Sequence, residues 1–225
     1  MKTSLLNIEI AGYVNNQINN FYPDNNVIPK TELLKFIDIT LERINYCFKH
    51  VSLPHYYENN EVIFNHLYSD HYVVFLWFLS NSIYREWGKC VLADKIYYLN
   101  KTLHGLDCMY DTKLPDIFLL FHSSGTMLGK AVYSDYFVAL HGCTVGSYNG
   151  IYPKLGKGVS LTANSSIIGN CEIGDRVSIS TGTILVNKSI SSDMVVINGT
   201  NDRYIIKSAI NSYSQQFFNV DLKSL

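Results

Sequence analysis

Between residues 155 and 197 an aliphatic side chain returns every six positions: Leu155, Leu161, Ile167, Ile173, Ile179, Leu185 and, past one break at Ser191, Ile197. Four places after each position stands a small or β-branched residue: Val159, Ser165, Cys171, Val177, Thr183, Ser189 and, counted from Ser191, Val195. A period of six is neither the 3.6 of a helix nor the alternation of a half-buried strand. It describes one short strand followed by one tight turn, a unit that buries its aliphatic residue only by stacking on neighbouring units. The second half of the chain is therefore expected to form a parallel β-helix.

The first half reads differently. From Thr31 to Val51 the apolar residues Leu34, Ile37, Leu41, Ile44, Phe48 and Val51 fall at steps of three and four and predict a helix. From Glu61 to Glu86 neither Gly nor Pro intervenes, and one or two helices are expected between Asn59-Asn60 and Gly88. A further helix is expected over Lys89–Leu103, stopped by Gly105. The aromatic run Tyr72, Phe75, Trp77 and Phe78 reads as core or subunit contact, and His50, His55, His66, His71 and His104 as surface or capping residues. The expected fold is thus α+β: a helical N-terminal domain (1–104), a β-helix domain (105–200) and a C-terminal tail (201–225).

Composition narrows the function. With 18 Lys and Arg against 19 Asp and Glu, the chain lacks the basic field that holds nucleic acid or anionic lipid. The longest strongly apolar run, Tyr72 to Leu79, is far short of the roughly 20 residues of a spanning helix. No secretory signal is recognisable at MKTSLLNIEI, so a cytoplasmic location is expected. Five scattered cysteines without a CxxC pair suggest neither a disulfide framework nor a zinc site, and no metal is expected.

The segment FHSSGTMLGKAVYSDYFVALHGCTVGSYNGIYPKLGKGVSLTANSSIIGNCEIGDRVSISTGTILVN resembles the hexapeptide-repeat acyltransferases, in particular their serine acetyltransferase branch, and is also similar to sugar O-acetyltransferases of surface-polysaccharide clusters. The resemblance covers about residues 105–200. It implies a left-handed β-helix with three hexads to the coil, acetyl-CoA as acyl donor, and a homotrimer with sites between neighbours, with pairing of trimers through the helical regions as a further option. His122 stands in His-x-x-Gly (His122, Gly125), followed by Gly129, and by resemblance is the general base. A neutral imidazole suits that task, since its unperturbed pKa is about 6.5. The resemblance also implies an orienting carboxylate fifteen residues upstream, here Asp107 in Gly105-Leu106-Asp107, with Asp111 and Asp116 as fallback partners.

Two departures bear on the acceptor. Serine acetyltransferases carry an aspartate before the base where this chain has Phe121, and a His-Pro-Lys-Ile segment where it has Tyr152-Pro153-Lys154-Leu155. Both changes remove polar groups from the place where L-serine would bind, and a site without partners for its substrate discriminates poorly in its favour. The expected activity is accordingly acetyl-CoA-dependent O-acetylation of a sugar or sugar-containing precursor, with Phe121, Tyr152 and His141 as acceptor-side residues. Serine O-acetylation is the alternative. A nucleotide-sugar N-acetyltransferase, a γ-carbonic-anhydrase-like zinc protein and a non-catalytic β-helix are the other readings, although only His122 and His141 of this half could serve as zinc ligands. Matched coils imply donor contacts from Gly146, Ser147, Ala163 and Thr181, and the sequence does not choose among Lys188, Arg203 and Lys207 for contacts to its adenosine or phosphates.

Overall fold

The computed structural model describes residues 1–199 and 204–225. Four helices come first: α1 (Asn7–Phe21), α2 (Lys30–Phe48), α3 (Ser69–Trp87) and α4 (Val91–His104). A β-helix of about four coils follows, as the α+β expectation has it. α1 has no counterpart among the expected helices, because Asn15, Asn16, Asn19 and Asn20 obscure a narrow buried stripe of Ile10, Ala11, Val14 and Ile18.

The span expected as helix from Glu61 divides. Glu61–Phe64 is a strand, and the helix begins only at Ser69. Asn59 and Asn60 both take left-handed backbone, φ 53° and 64°, and close a two-residue hairpin that pairs Tyr57–Glu58 with Glu61–Val62. Val62, Ile63 and Phe64 suit that pleated setting.

α3 attaches the helical half to the β-helix. Tyr72, Phe75, Trp77 and Phe78 are all buried, and the Trp77 and Phe78 rings each meet Phe118 at a centroid distance of 5.4 Å. The Cys47 thiol donates to the Phe118 carbonyl at 3.2 Å. Each such aromatic contributes about 2–3 kcal/mol on full burial, enough to fix how α3 lies on the first strand. His71, expected at the surface or a cap, is fully buried in this layer.

The coils build three walls. The first contains Phe118–Leu120, Phe137–Ala139, Ser160–Leu161, Ser178–Ile179 and Met194–Asn198. The second contains Met127–Leu128, Thr144–Gly146, Ser166–Ile168 and Ile184–Val186, and the third Lys154–Leu155 and Glu172–Ile173. All neighbours within the coils are parallel. Regular partners lie three hexads apart, as in Leu161↔Ile179 and Ile167↔Leu185. Where Tyr148–Ile151 is inserted as a two-residue hairpin the offset grows by four, as in Val145↔Ile167.

The repeat slips once. Ile190 and Val196, not Ser191 and Ile197, fill the last core positions, and they pair with Ile173 and Ile179 one residue earlier than three hexads require. The break at Ser191 is thus a one-residue deletion, which leaves Ile197 half-exposed. Tyr204–Ser208 then pairs antiparallel with Met194–Asn198. The tail folds back on its own chain through buried Phe217, Phe218 and Leu222, with Phe218 bridged to Val51. The expected boundary at residue 200 lies outside the described residues.

Candidate functional site

The corner between the first and second walls is turned in each coil by a left-handed residue: Gly125, Gly142, Asn164 and Gly182, with φ between 58° and 72°. Backbone bonds stack them, Gly142 N–H to Ser124 O, Asn164 N–H to His141 O and Gly182 N–H to Ala163 O. The uppermost turn is enlarged. It runs from Leu120 to Met127, two residues longer than Ala139–Thr144, Leu161–Ser166 and Ile179–Ile184 below it. His122 lies in this excess and is itself left-handed, φ 53°, a conformation that costs a non-glycine residue about 1–2 kcal/mol.

The His122 side chain is 65% exposed and its neighbour Phe121 backs it, ring centroids 4.2 Å apart. The backbone N–H of His122 donates to Oδ1 of Asp70 at 3.1 Å, and Oδ2 of Asp70 lies 4.0 Å from Nδ1 of the ring. Asp70 stands in the first turn of α3 with its side chain 4% exposed. Burial lifts its carboxyl above the usual range, partly offset by the His122 N–H and the His122 ring.

Asp107, expected to orient His122, does not bond to it. Tyr97 Oη donates to its Oδ1 at 2.6 Å and Lys101 Nζ to its Oδ2 at 2.7 Å. Burial acts to raise this carboxyl, but Lys101 and Tyr97 outweigh it and hold Asp107 below the usual carboxylate range. Its backbone opens the β-helix by pairing with Met127. Of the fallback carboxylates, Asp111 is paired with Lys130 at 2.8 Å, and Asp116 lies beside Arg43 and Arg85 in a groove between α2 and α3.

The residues directly before the corner positions, His141, Ala163 and Thr181, stack in a single column topped by Ser124, and His122 stands two residues before Ser124 in the excess of the uppermost turn. His141 and Thr181 are exposed and Ala163 is half-exposed. Gly146 and Ser147 lie across the second wall at its other edge, where the exposed Tyr148–Ile151 hairpin leads into Tyr152. The Tyr152 ring passes close to Gly129, its Cε1 3.8 Å from where a β-carbon on that glycine would stand. The second wall therefore runs between the His122 corner and the Tyr152 edge, and its outer surface shows Met127, Ile184 and Val186. Lys188 and Lys207 are exposed, and Arg203 lies outside the described residues.

Asp70 is the residue that sequence reasoning passes over. Its signal is an acid at the head of an apolar run, Ser69-Asp70-His71-Tyr72-Val73-Val74, where a buried charge needs a reason. Among the described residues no three His, Cys, Asp or Glu side chains gather as a metal site, and no helix is long and apolar enough to cross a membrane.

No protein-family model matches the chain. It is 26% identical over 125 residues to a serine acetyltransferase of Synechococcus elongatus, an alignment covering 53% of this chain and 50% of that protein. The chain spans half or less of the length of the curated relatives it matches. In fold it is similar to the Neisseria gonorrhoeae serine acetyltransferase, with a TM-score of 0.70 at 20% identity over 97% of this chain and 86% of that one. It is also similar to the Brucella abortus serine acetyltransferase solved with coenzyme A, with a TM-score of 0.65 at 18% identity over 92% and 84% of the two chains. In repeat, sequence similarity and fold the chain is serine acetyltransferase-like, a hexapeptide-repeat protein whose left-handed β-helix follows four N-terminal helices.

Proposed function

We propose that the chain is an acetyl-CoA-dependent O-acetyltransferase with His122 as its general base. The observation that carries this reading is the exposed imidazole on an enlarged β-helix corner, at the edge of a wall bordered by small residues. A His122 ring nitrogen takes the acceptor hydroxyl proton as the oxygen attacks the thioester carbonyl, and the proton passes to the departing thiolate as the C–S bond breaks. The coenzyme A held by the Brucella abortus neighbour supports the donor. Gly146, Ser147, Ala163 and Thr181 are proposed to line its path.

For the acceptor, the serine acetyltransferase relatives support L-serine better than the sugar expected from the sequence. Phe121 and Tyr152 carry the second reading. An apolar ring beside His122 and a half-exposed phenol across the wall suit a flat, hydroxyl-rich acceptor such as a sugar. His141 and Tyr152 are the proposed acceptor-side contacts in either case. Because the His122 ring stands open to solvent, a neighbouring β-helix is proposed to close the site, and the assembly to be a homotrimer.

The test is acetyl-CoA consumption, read as thiol release, for wild type and His122→Ala with L-serine and then with sugars and nucleotide sugars. Loss of the base is expected to lower the rate by about 10²- to 10⁴-fold. Turnover on L-serine that vanishes in the variant supports the serine reading. His122-dependent turnover on a sugar alone supports the second, and turnover indifferent to His122 refutes both.

A further inference from the structure

We infer that Asp70, reaching from the helical half, is the carboxylate that positions the His122 ring, fixing its proton on Nδ1 so that Nε2 faces the acceptor. The inference deepens the proposed function and rests on His122 being its base.

Three observations carry it. The two residues are joined already, since Oδ1 of Asp70 accepts the backbone N–H of His122 at 3.1 Å, and this bond falls on the one residue of that corner that is left-handed outside the regular column. The second oxygen lies on the side of Nδ1, at 4.0 Å. That is too long for a hydrogen bond, but a catalytic contact often tightens only when substrate arrives, and an exposed ring can close the gap by turning about its side-chain torsions. Asp107 is the competing carboxylate, and both of its oxygens are occupied by Tyr97 and Lys101.

Among the described residues Asp70 has no other partner of opposite charge. Tyr68 and His71 lie within two residues of it in sequence, and Tyr56 comes from the segment before α3; among the described residues His122 is the group that favours its ionised form. A carboxylate that is buried, outside any ion pair with Lys or Arg, and turned toward an exposed imidazole has the arrangement that fixes a histidine tautomer. The first turn of α3 adds a favourable dipole, but the Asp70 side chain makes no capping bond to its own helix.

The experiment compares wild type with Asp70→Asn, which keeps an oxygen to accept the His122 N–H and removes the charge. Nitrogen-15 spectra of histidine-labelled protein, with His122→Ala to assign the resonance, read the ring tautomer without any substrate. Wild type is expected to hold the proton mainly on Nδ1 and Asp70→Asn to move it toward Nε2. At pH 7.5 the melting temperature should not fall, because burial makes ionised Asp70 a burden on folding, and in the acetyl-transfer assay kcat should drop about tenfold or more with KM for acetyl-CoA unchanged. An unchanged tautomer in Asp70→Asn overturns the inference. A tautomer shift in a protein that shows no His122-dependent acetyl transfer keeps the Asp70–His122 coupling and refutes the proposed activity instead.

Discussion

The His71 ring is fully buried among Phe48, Tyr56, Phe64 and Tyr68, with centroids 4.4 to 6.5 Å away. Its Nδ1 accepts the Asn65 N–H at 3.2 Å, which fixes the neutral form, and its Nε2 has no partner. Burial pushes His71 down to about 3, and half-buried His104 to about 4. Between that folded value and the unfolded 6.5 the unfolded chain binds more protons, so stability is complete above pH 6.5 and is lost as pH falls toward 3. The melting temperature should therefore decline from pH 6.5 to 4.5, and His71→Phe should decline less steeply, with His104 and His66, which burial also lowers, contributing to the remainder. A parallel slope in the variant would show that His71 is not the group responsible. At this scale His122 stands out in the sequence through the resemblance of its His-x-x-Gly segment. The burial of His71 is not, since an imidazole in a helix carries no mark of which way the helix faces.

At the scale of elements, the six-residue repeat is legible because stacked coils demand one aliphatic side chain per wall, and Leu161, Ile167, Ile179 and Leu185 are all fully buried. The slip after Leu185 is not, because Val195, Val196 and Ile197 are chemically alike and only pairing decides which points inward. Ile167→Ala should lower stability by about 2–4 kcal/mol in urea unfolding, whereas Ile197→Ala should lower it by less than about 1 kcal/mol. Equal losses would mean that the unbroken six-residue phase, and not the slipped one, describes the last coil. In the helical half, Glu61–Phe64 becomes a strand for a similar reason. Val62-Ile63-Phe64 fits either state, and the Asn59-Asn60 hairpin, together with parallel pairing of Ile63–Phe64 to Lys2–Thr3, selects the strand.

Across the whole molecule one continuous apolar core joins the helices, the coils and the returning tail. Phe217 closes it beside the site, its ring 6.0 Å from that of Phe121. This core leaves the second wall uncovered, with Met127 49% and Ile184 52% exposed between the His122 corner and the Tyr152 edge. If a neighbouring β-helix covers that wall, light scattering should return three times the 25.6 kDa chain mass, and Ile184→Glu should lower the mass without unfolding the chain. A wild-type protein that runs as a monomer would remove the shared site. The sequence by itself determined the solenoid and the helical region before it, because periodicity is local and repeats along the chain, while His122 stood out only through the resemblance of its His-x-x-Gly segment. Only the tertiary structure decided which carboxylate meets that histidine. Asp70 and His122 are separated by 52 residues and are brought together by Trp77 and Phe78 packing on Phe118, a contact between distant segments that no local pattern encodes.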